Sequence, residues 1–221
     1  MSLNAVIVPV TPFQQNCSVI WCDATGQGAV VDPGGDLPDI LKVAADNGVA
    51  VTKILITHAH IDHAGATAGL ARQLGVPIEG PQREEQFWID RLPDQGRMFG
   101  VPAGEVFVPD RWLSQGDTCT VGNEVLEVFH CPGHTPGHIV FFSRAARLAF
   151  VGDVLFAGSI GRTDFPRGDH ATLIRSITGQ LWPLGDDVTF VPGHGPTSTF
   201  GAERRSNPFV GDAALAAGAG G

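Results

Sequence analysis

The sequence predicts an α/β fold in which two β-sheets pack together with helices outside, in one domain. Three observations carry this. Short apolar runs rich in β-branched residues or Phe recur along the chain, each bounded by Gly, Pro, Asp or Asn. Amphipathic helical patterns lie between some of these runs. The early runs are hairpin-like, and the later ones are mixed with helices.

Taken in order, the predicted strands are "AVIVPV", "CSVIWC", "GAVVD", "KILIT", "CTV", "EVLEVFH", "HIVFF", "LAFVG" and "DVTFVP". A helix is expected in "DLPDILKVAADNG", where Leu37, Ile40, Leu41 and Ala44 share a face and Gly48 ends the pattern. A second follows in "DHAGATAGLARQLG", and a third in "DHATLIRSITGQLW", with Leu173, Ile174, Ile177 and Leu181 at helical spacing. Residues 81–113 are less periodic and hold Phe87, Trp88, Phe99 and Trp112. They predict a helix and then an irregular excursion: either a flap over a site or a surface insertion packed by its own aromatics. The domain is expected to span residues 1–210, with "GDAALAAGAGG", residues 211–221, as a low-complexity, loosely held tail.

Composition narrows the function. The chain has 221 residues, 43% of them hydrophobic, and a net charge of −9. It carries no basic stripe of the kind nucleic acid attracts, so no nucleic-acid partner is expected. No apolar stretch approaches the ~18 residues of a membrane span, and the N-terminus, broken by Pro9 and Pro12, does not resemble a secretory leader. A cytoplasmic protein is expected, a monomer or homodimer without membrane contact. Its cysteines (Cys17, Cys22, Cys119, Cys131) lack paired spacing and are expected to remain thiols.

The chemistry concentrates in "THAHIDHAG". His58 and His60, two residues apart at the exit of "KILIT", can point to one side of an extended segment. Asp62 and His63 fall where the chain turns into the next helix and can face a neighbouring point. His134 after "LEVFHCPG", Asp153 after "LAFVG" and His194 after "VTFVPG" also follow strands, each directly preceded by glycine. Such residues projecting from several strand ends form a shared crevice. Each alone reads as a capping or packing residue. Together they are a dense set of imidazole and carboxylate donors, which points to metal.

"THAHIDHAG" resembles the HxHxDH signature of the metallo-β-lactamase superfamily, and "PGHTPGH", "VGD" and "PGHG" follow in the matching order. The resemblance extends to about Phe209 and implies an αββα sandwich with a dinuclear site at one edge. It implies that His58, His60 and His134 hold one metal and that Asp62, His63 and His194 hold the other. Asp153 and a hydroxide would bridge them. Zinc, iron and manganese all suit these donors, and zinc is the first expectation. His138 is expected to support a ligand by hydrogen bonding.

Within the superfamily, "GDVLFAGSIGRTDFPRGD" and "VPGHGPTSTFGAERRSNPF" are similar to the glyoxalase II group of hydroxyacylglutathione hydrolases, especially the short bacterial ones. This implies hydrolysis of a thioester, S-D-lactoylglutathione first, by the bridging hydroxide, with Asp62 in a catalytic role orienting it. A thiolate leaves without a general acid, since thiols ionise near pH ~8.5, and no additional acid is conspicuous. Arg162 falls where the group has a basic residue for the glutathione carboxylate. Its alternative is an internal Arg162–Asp164 pair. The chain contains no tyrosine, so tyrosine contacts to glutathione do not carry over. "GRTDF" is also similar to the persulfide dioxygenases, which use a mononuclear iron in the same fold. "GHGP" and the complete second ligand set favour the hydrolase.

Overall fold

Every predicted apolar run becomes a strand in the computed structural model, which describes residues 2–218. The first sheet is β1 (Leu3–Val10), β2 (Gln15–Cys22), β3 (Gln27–Val31), β4 (Ala50–Leu55) and the short β5 (Ile78–Glu79), paired in that order. Its first three strands form antiparallel hairpins. α1 (Leu37–Asp46) then carries the chain across to β4, parallel to β3.

After β4 the chain runs through α2 (Ile61–Ala64), α3 (Thr67–Leu74), α4 (Gln86–Ile89) and α5 (Leu92–Phe99). The second sheet collects β6 (Thr118–Val121), β7 (Glu124–His130), β8 (Ile139–Ser143) and β9 (Leu148–Gly152) as an antiparallel meander. A small hairpin, β10 (Leu155–Phe156) with β11 (Ser159–Ile160), precedes α6 (His170–Ser176). β12 (Thr189–Pro192) returns parallel to β9, β13 (Ser198–Thr199) closes the edge, and α7 (Phe200–Ser206) and α8 (Asp212–Gly218) follow.

Strand alternation explains the layers. In β8, Ile139 and Phe141 face the first sheet, while Val140 and Phe142 face the helices of the second layer. In β4, Leu55 points between the sheets, whereas Ile54 packs under the first-layer helices. The near-continuous apolar runs are therefore strands buried on both faces. The order helix layer, sheet, sheet, helix layer is the αββα sandwich the resemblance implies.

Three departures from the sequence reading have local causes. The second predicted helix is split between α2 and α3, because the Ala66 N–H donates to Pro33 O at 3.0 Å instead of continuing the helix. The third stops at Ser176 and continues as a wider π turn, Ile177–Leu181, where Thr178 Oγ1 donates to Ile174 O at 2.8 Å. In the segment expected to be a loose tail, Asp212–Gly218 is helical, anchored by an Arg204–Asp212 ion pair; residues 219–221 lie outside the described residues. Between 81 and 113, helices run to Phe99 and an irregular stretch follows. All four cysteines are buried free thiols, and burial pushes Cys131 well up, which leaves it unsuited as a nucleophile.

Candidate metal centre

The carboxyl ends of β4, β9 and β12 and the loop from β7 to β8 meet at one edge of the sandwich. Backbone bonds stitch this edge together: Ile139 N to Thr57 O at 2.9 Å, Gly193 N to Gly152 O at 2.7 Å and Asn16 N to Gly193 O at 2.7 Å. Two glycines make the approach possible. Gly152 sits at φ +48°, and a Cβ there would stand 2.6 Å from Thr57 Oγ1. At Gly193 a Cβ would meet Asp153 Oδ1 at 2.0 Å. A side chain at either place would push the strand ends apart.

All seven residues anticipated as ligands converge here. His58, His60 and His134 form one group of donor atoms, and Asp62, His63 and His194 form another; within each, the atoms lie within 4.8 Å of one another. Asp153 stands between the groups. Its Oδ1 is 3.2 Å from His63 Nε2, and its Oδ2 is 3.5 Å from His134 Nε2 and 3.8 Å from His194 Nε2.

Hydrogen bonding assigns the ring protons. Thr57 Oγ1 donates to Asp32 Oδ2 at 2.6 Å, so His58 Nδ1, 3.1 Å from that oxygen, is left to donate to it. His134 Nδ1 donates to Arg162 O at 2.7 Å. Both Nε2 atoms therefore carry lone pairs, and both point at His60 Nδ1, at 3.2 and 3.0 Å. One N–H cannot satisfy two such acceptors well, whereas a cation accepts all three nitrogens.

The second group sets ring nitrogens against carboxylates instead. His63 Nδ1 donates to Asp32 Oδ2 at 2.9 Å, which turns Nε2 toward Asp153 Oδ1; both of these buried atoms are without a hydrogen-bond partner. His194 Nδ1 donates to Phe13 O at 3.2 Å, leaving Nε2 3.1 Å from Asp62 Oδ2. A ring nitrogen facing a carboxylate at these distances holds either a proton or a metal cation between the two. The donor set fits a divalent cation in each group.

The electrostatics separate the two groups. Burial holds His58 well below the usual imidazole range and brings His60 down to about 3, while His134 is lowered mainly by burial. Burial also works against charge on His63, but Asp153 and Asp62 outweigh it and its pKa is raised. His194 is raised too, against burial, by Asp62 and Asp153. Burial alone would raise Asp62 and Asp153; His63 with His194, and His63 with His134, hold the two carboxyls low instead.

Several supporting residues escaped the sequence reading. Asp32, buried at φ +52°, accepts from Thr57 N at 2.7 Å as well as from Thr57 Oγ1 and His63. Glu85 is fully buried and accepts from Ala59 N at 2.9 Å and Gly137 N at 2.8 Å, tying together the loops that carry His60 and His134. Burial pushes its carboxyl up to about 7. Gln95 accepts from Ile61 N at 2.9 Å, and Asn16 Nδ2 donates to Pro192 O at 3.0 Å and Gly195 O at 2.8 Å on either side of His194. His138 Nε2 accepts from Asp153 N at 3.1 Å, in keeping with a supporting role. The visible signal for Asp32 was its place at the end of "GAVVD"; nothing local marked the others.

Asp62, Asp153, His60, His134 and His194 open onto a cleft of about 910 Å³. Arg162 stands on its rim, donating through Nε and Nη2 to the two carboxylate oxygens of Asp164 at 2.9 and 2.7 Å. Residues 10–194 match the metallo-beta-lactamase superfamily. The chain belongs to that superfamily. It is similar to hydroxyacylglutathione hydrolase GloC of Haemophilus influenzae, at 46% identity over 94% of this chain and 98% of that one. Among solved structures it resembles the B3 metallo-beta-lactamase BLEG-1, at 33% identity and a TM-score of 0.86 over 95% and 99% of the two chains. A di-iron-bound form of TTHA1623 matches at 33% identity and a TM-score of 0.84, over 92% and 99%. No helix among the described residues is long and apolar enough to cross a membrane.

Proposed function

We propose that this protein is a metal-dependent hydrolase of the glyoxalase II type, cleaving a thioester such as S-D-lactoylglutathione. The carrying observation is the pairing of two three-residue donor groups through Asp153 at the floor of an open cleft. His58, His60 and His134 would hold one divalent ion, Asp62, His63 and His194 a second, with Asp153 shared. The likeness to GloC supports the activity, and the di-iron form of TTHA1623 supports a dinuclear reading in which iron stands beside zinc and manganese.

When bound, two such ions supply a Lewis acid for a carbonyl oxygen and lower the pKa of an adjacent water. The chain does the rest. Burial keeps His58 and His60 unprotonated, so their nitrogens are free to coordinate. The Arg162 carbonyl and the Asp32 carboxylate fix the tautomers of His134 and His63. Asp62 orients the attacking oxygen by accepting its hydrogen bond on a carboxylate that His63 and His194 keep ionised. The remaining carboxylate lining the cleft, Asp94, is paired with Arg97. A thiolate leaving group asks for no acid from that quarter. Arg162 is the assigned contact for a substrate carboxylate, exchanging Asp164 for it at the exposed rim.

The test is thiol release from S-lactoylglutathione by protein of measured metal content, with metal approaching two ions per chain. Oxygen consumption on glutathione persulfide, with a single iron per chain and no thiol release, would overturn the hydrolase in favour of a dioxygenase.

A further inference from the structure

The walls of the cleft are aromatic where they meet the ligand rings. The Trp88 and Phe165 rings lie 4.7 and 4.8 Å from the His60 ring, and Phe156 lies 6.3 Å from that of His194. Farther out, Phe13 and Phe99 pack edge to face at 5.9 Å, joining the β1–β2 turn to the end of α5. These outer groups are not buried: Phe13 is 40% exposed, Phe99 46% and Met98 78%. Exposed apolar side chains grouped at the mouth of a cleft mark a binding surface.

The charged groups of the rim are engaged with their own neighbours. Arg162 is paired with Asp164 and lies 4.6 Å from the Phe165 ring; Asp94 is paired with Arg97. Arg91 donates to Phe87 O at 3.0 Å and lies 3.7 Å over the Phe87 ring. Gln95, the buried amide on the cleft, spends its oxygen on Ile61 N and its nitrogen on Ala59 O and Trp88 O. What the mouth offers an arriving molecule is mainly apolar surface.

From this we infer that the cleft selects thioesters whose acyl arm is bulky and apolar, aromatic or branched aliphatic, over the small hydroxyacyl arm of lactoylglutathione. The inference rests on the hydrolase reading and names the substrate class within it. Both arms of a thioester flank the reacting carbonyl; with the thiol's carboxylate held at Arg162, the acyl arm is left to Trp88 and the α5 side of the cleft. A larger arm reaches the Phe13–Phe99 pair and Met98, covering surface that a methyl-sized arm leaves wet.

Binding and turnover test this separately. Calorimetry on the zinc-loaded protein compares S-benzylglutathione with S-methylglutathione, thioethers that share a thiol and cannot be hydrolysed. The benzyl compound is expected to bind at least about tenfold tighter, as burial of a phenyl ring provides. S-mandeloylglutathione is expected to exceed S-lactoylglutathione in kcat/KM by a similar factor of about ten. The double variant M98A/F99A, at exposed positions, should reduce both preferences to about threefold or less, while Phe99→Leu, which keeps apolar bulk, should retain them. Equal binding of the two thioethers, within about twofold, or a kcat/KM that favours the lactoyl ester, would overturn the inference. If no thioester is turned over yet the benzyl preference persists, the hydrolase reading fails while the apolar selectivity of the cleft stands.

Discussion

Asp32 Oδ2 lies 2.9 Å from His63 Nδ1 with both groups buried, so the tautomer of one donor at the centre is set by a residue thirty-one positions earlier. The same carboxylate holds Thr57 through its N–H and its hydroxyl, just before His58. One side chain therefore orients parts of both donor groups. Replacing Asp32 by Asn puts an amide donor where an acceptor is needed. Metal affinity is expected to fall by roughly 10–100-fold, most at the Asp62–His63–His194 group. Competition against a chelator of known affinity measures it, and unchanged affinity would remove Asp32 from this role.

Asp153 faces both groups, and D153N removes the charge they share. Both metals are expected to bind weakly, with activity down by at least about 100-fold. Metal analysis after gel filtration is the direct readout. A variant that keeps two ions per chain would show that Asp153 is not the shared ligand.

Metal loading should release protons unevenly. His63 and His194 have raised pKa values, so just above the ordinary imidazole range they retain protons that a cation must displace. His58, His60 and His134 are lowered and already neutral there. Affinity at the second group should thus fall as pH drops through the raised values, while the first is less sensitive. Calorimetric titrations in buffers of different ionisation enthalpy count the protons; equal release from the two binding events would contradict the assignment.

Glu85 makes a separate pH prediction for the metal-free protein. Its folded pKa of about 7 lies above the value of about 4.3 expected in the unfolded chain. The folded state therefore favours the protonated form. The stabilisation is fully present below the unfolded value and is lost as pH rises through about 7. Stability measured by urea unfolding should fall between acid and mildly alkaline pH, by no more than about 4 kcal/mol from this group, and Glu85→Gln should flatten that dependence. An identical slope in both proteins would argue that Glu85 does not titrate in this window.

At the rim, the Arg162–Asp164 pair predicts opposite effects from its two halves. Arg162→Ala should raise KM for a carboxylate-bearing thioester by roughly tenfold or less with little change in kcat, whereas Asp164→Ala, which frees the guanidinium, should lower KM. Steady-state kinetics on S-lactoylglutathione distinguishes this from a purely structural pair, for which both variants would move KM the same way.

The sequence by itself determined the layers and which residues are the candidate donors. Apolar runs between turn residues are local patterns, and in β8 and β4 their near-continuity already implied burial on both faces. Four histidines and aspartates within "HAHIDH", with three more each behind a glycine at or just past a strand end, pointed to a metal before any folding was known. Only the tertiary structure decided what holds those donors in place. Asp32, Glu85 and Asn16 act on partners 25, 26 and 176 residues away, so no local periodicity could reveal them. It also decided that Arg162 rests on Asp164 and that Phe13 meets Phe99 at the mouth of the cleft. The reason is physical: strand and turn preferences are settled within a few residues, whereas a buried polar group must find its partner wherever folding delivers one.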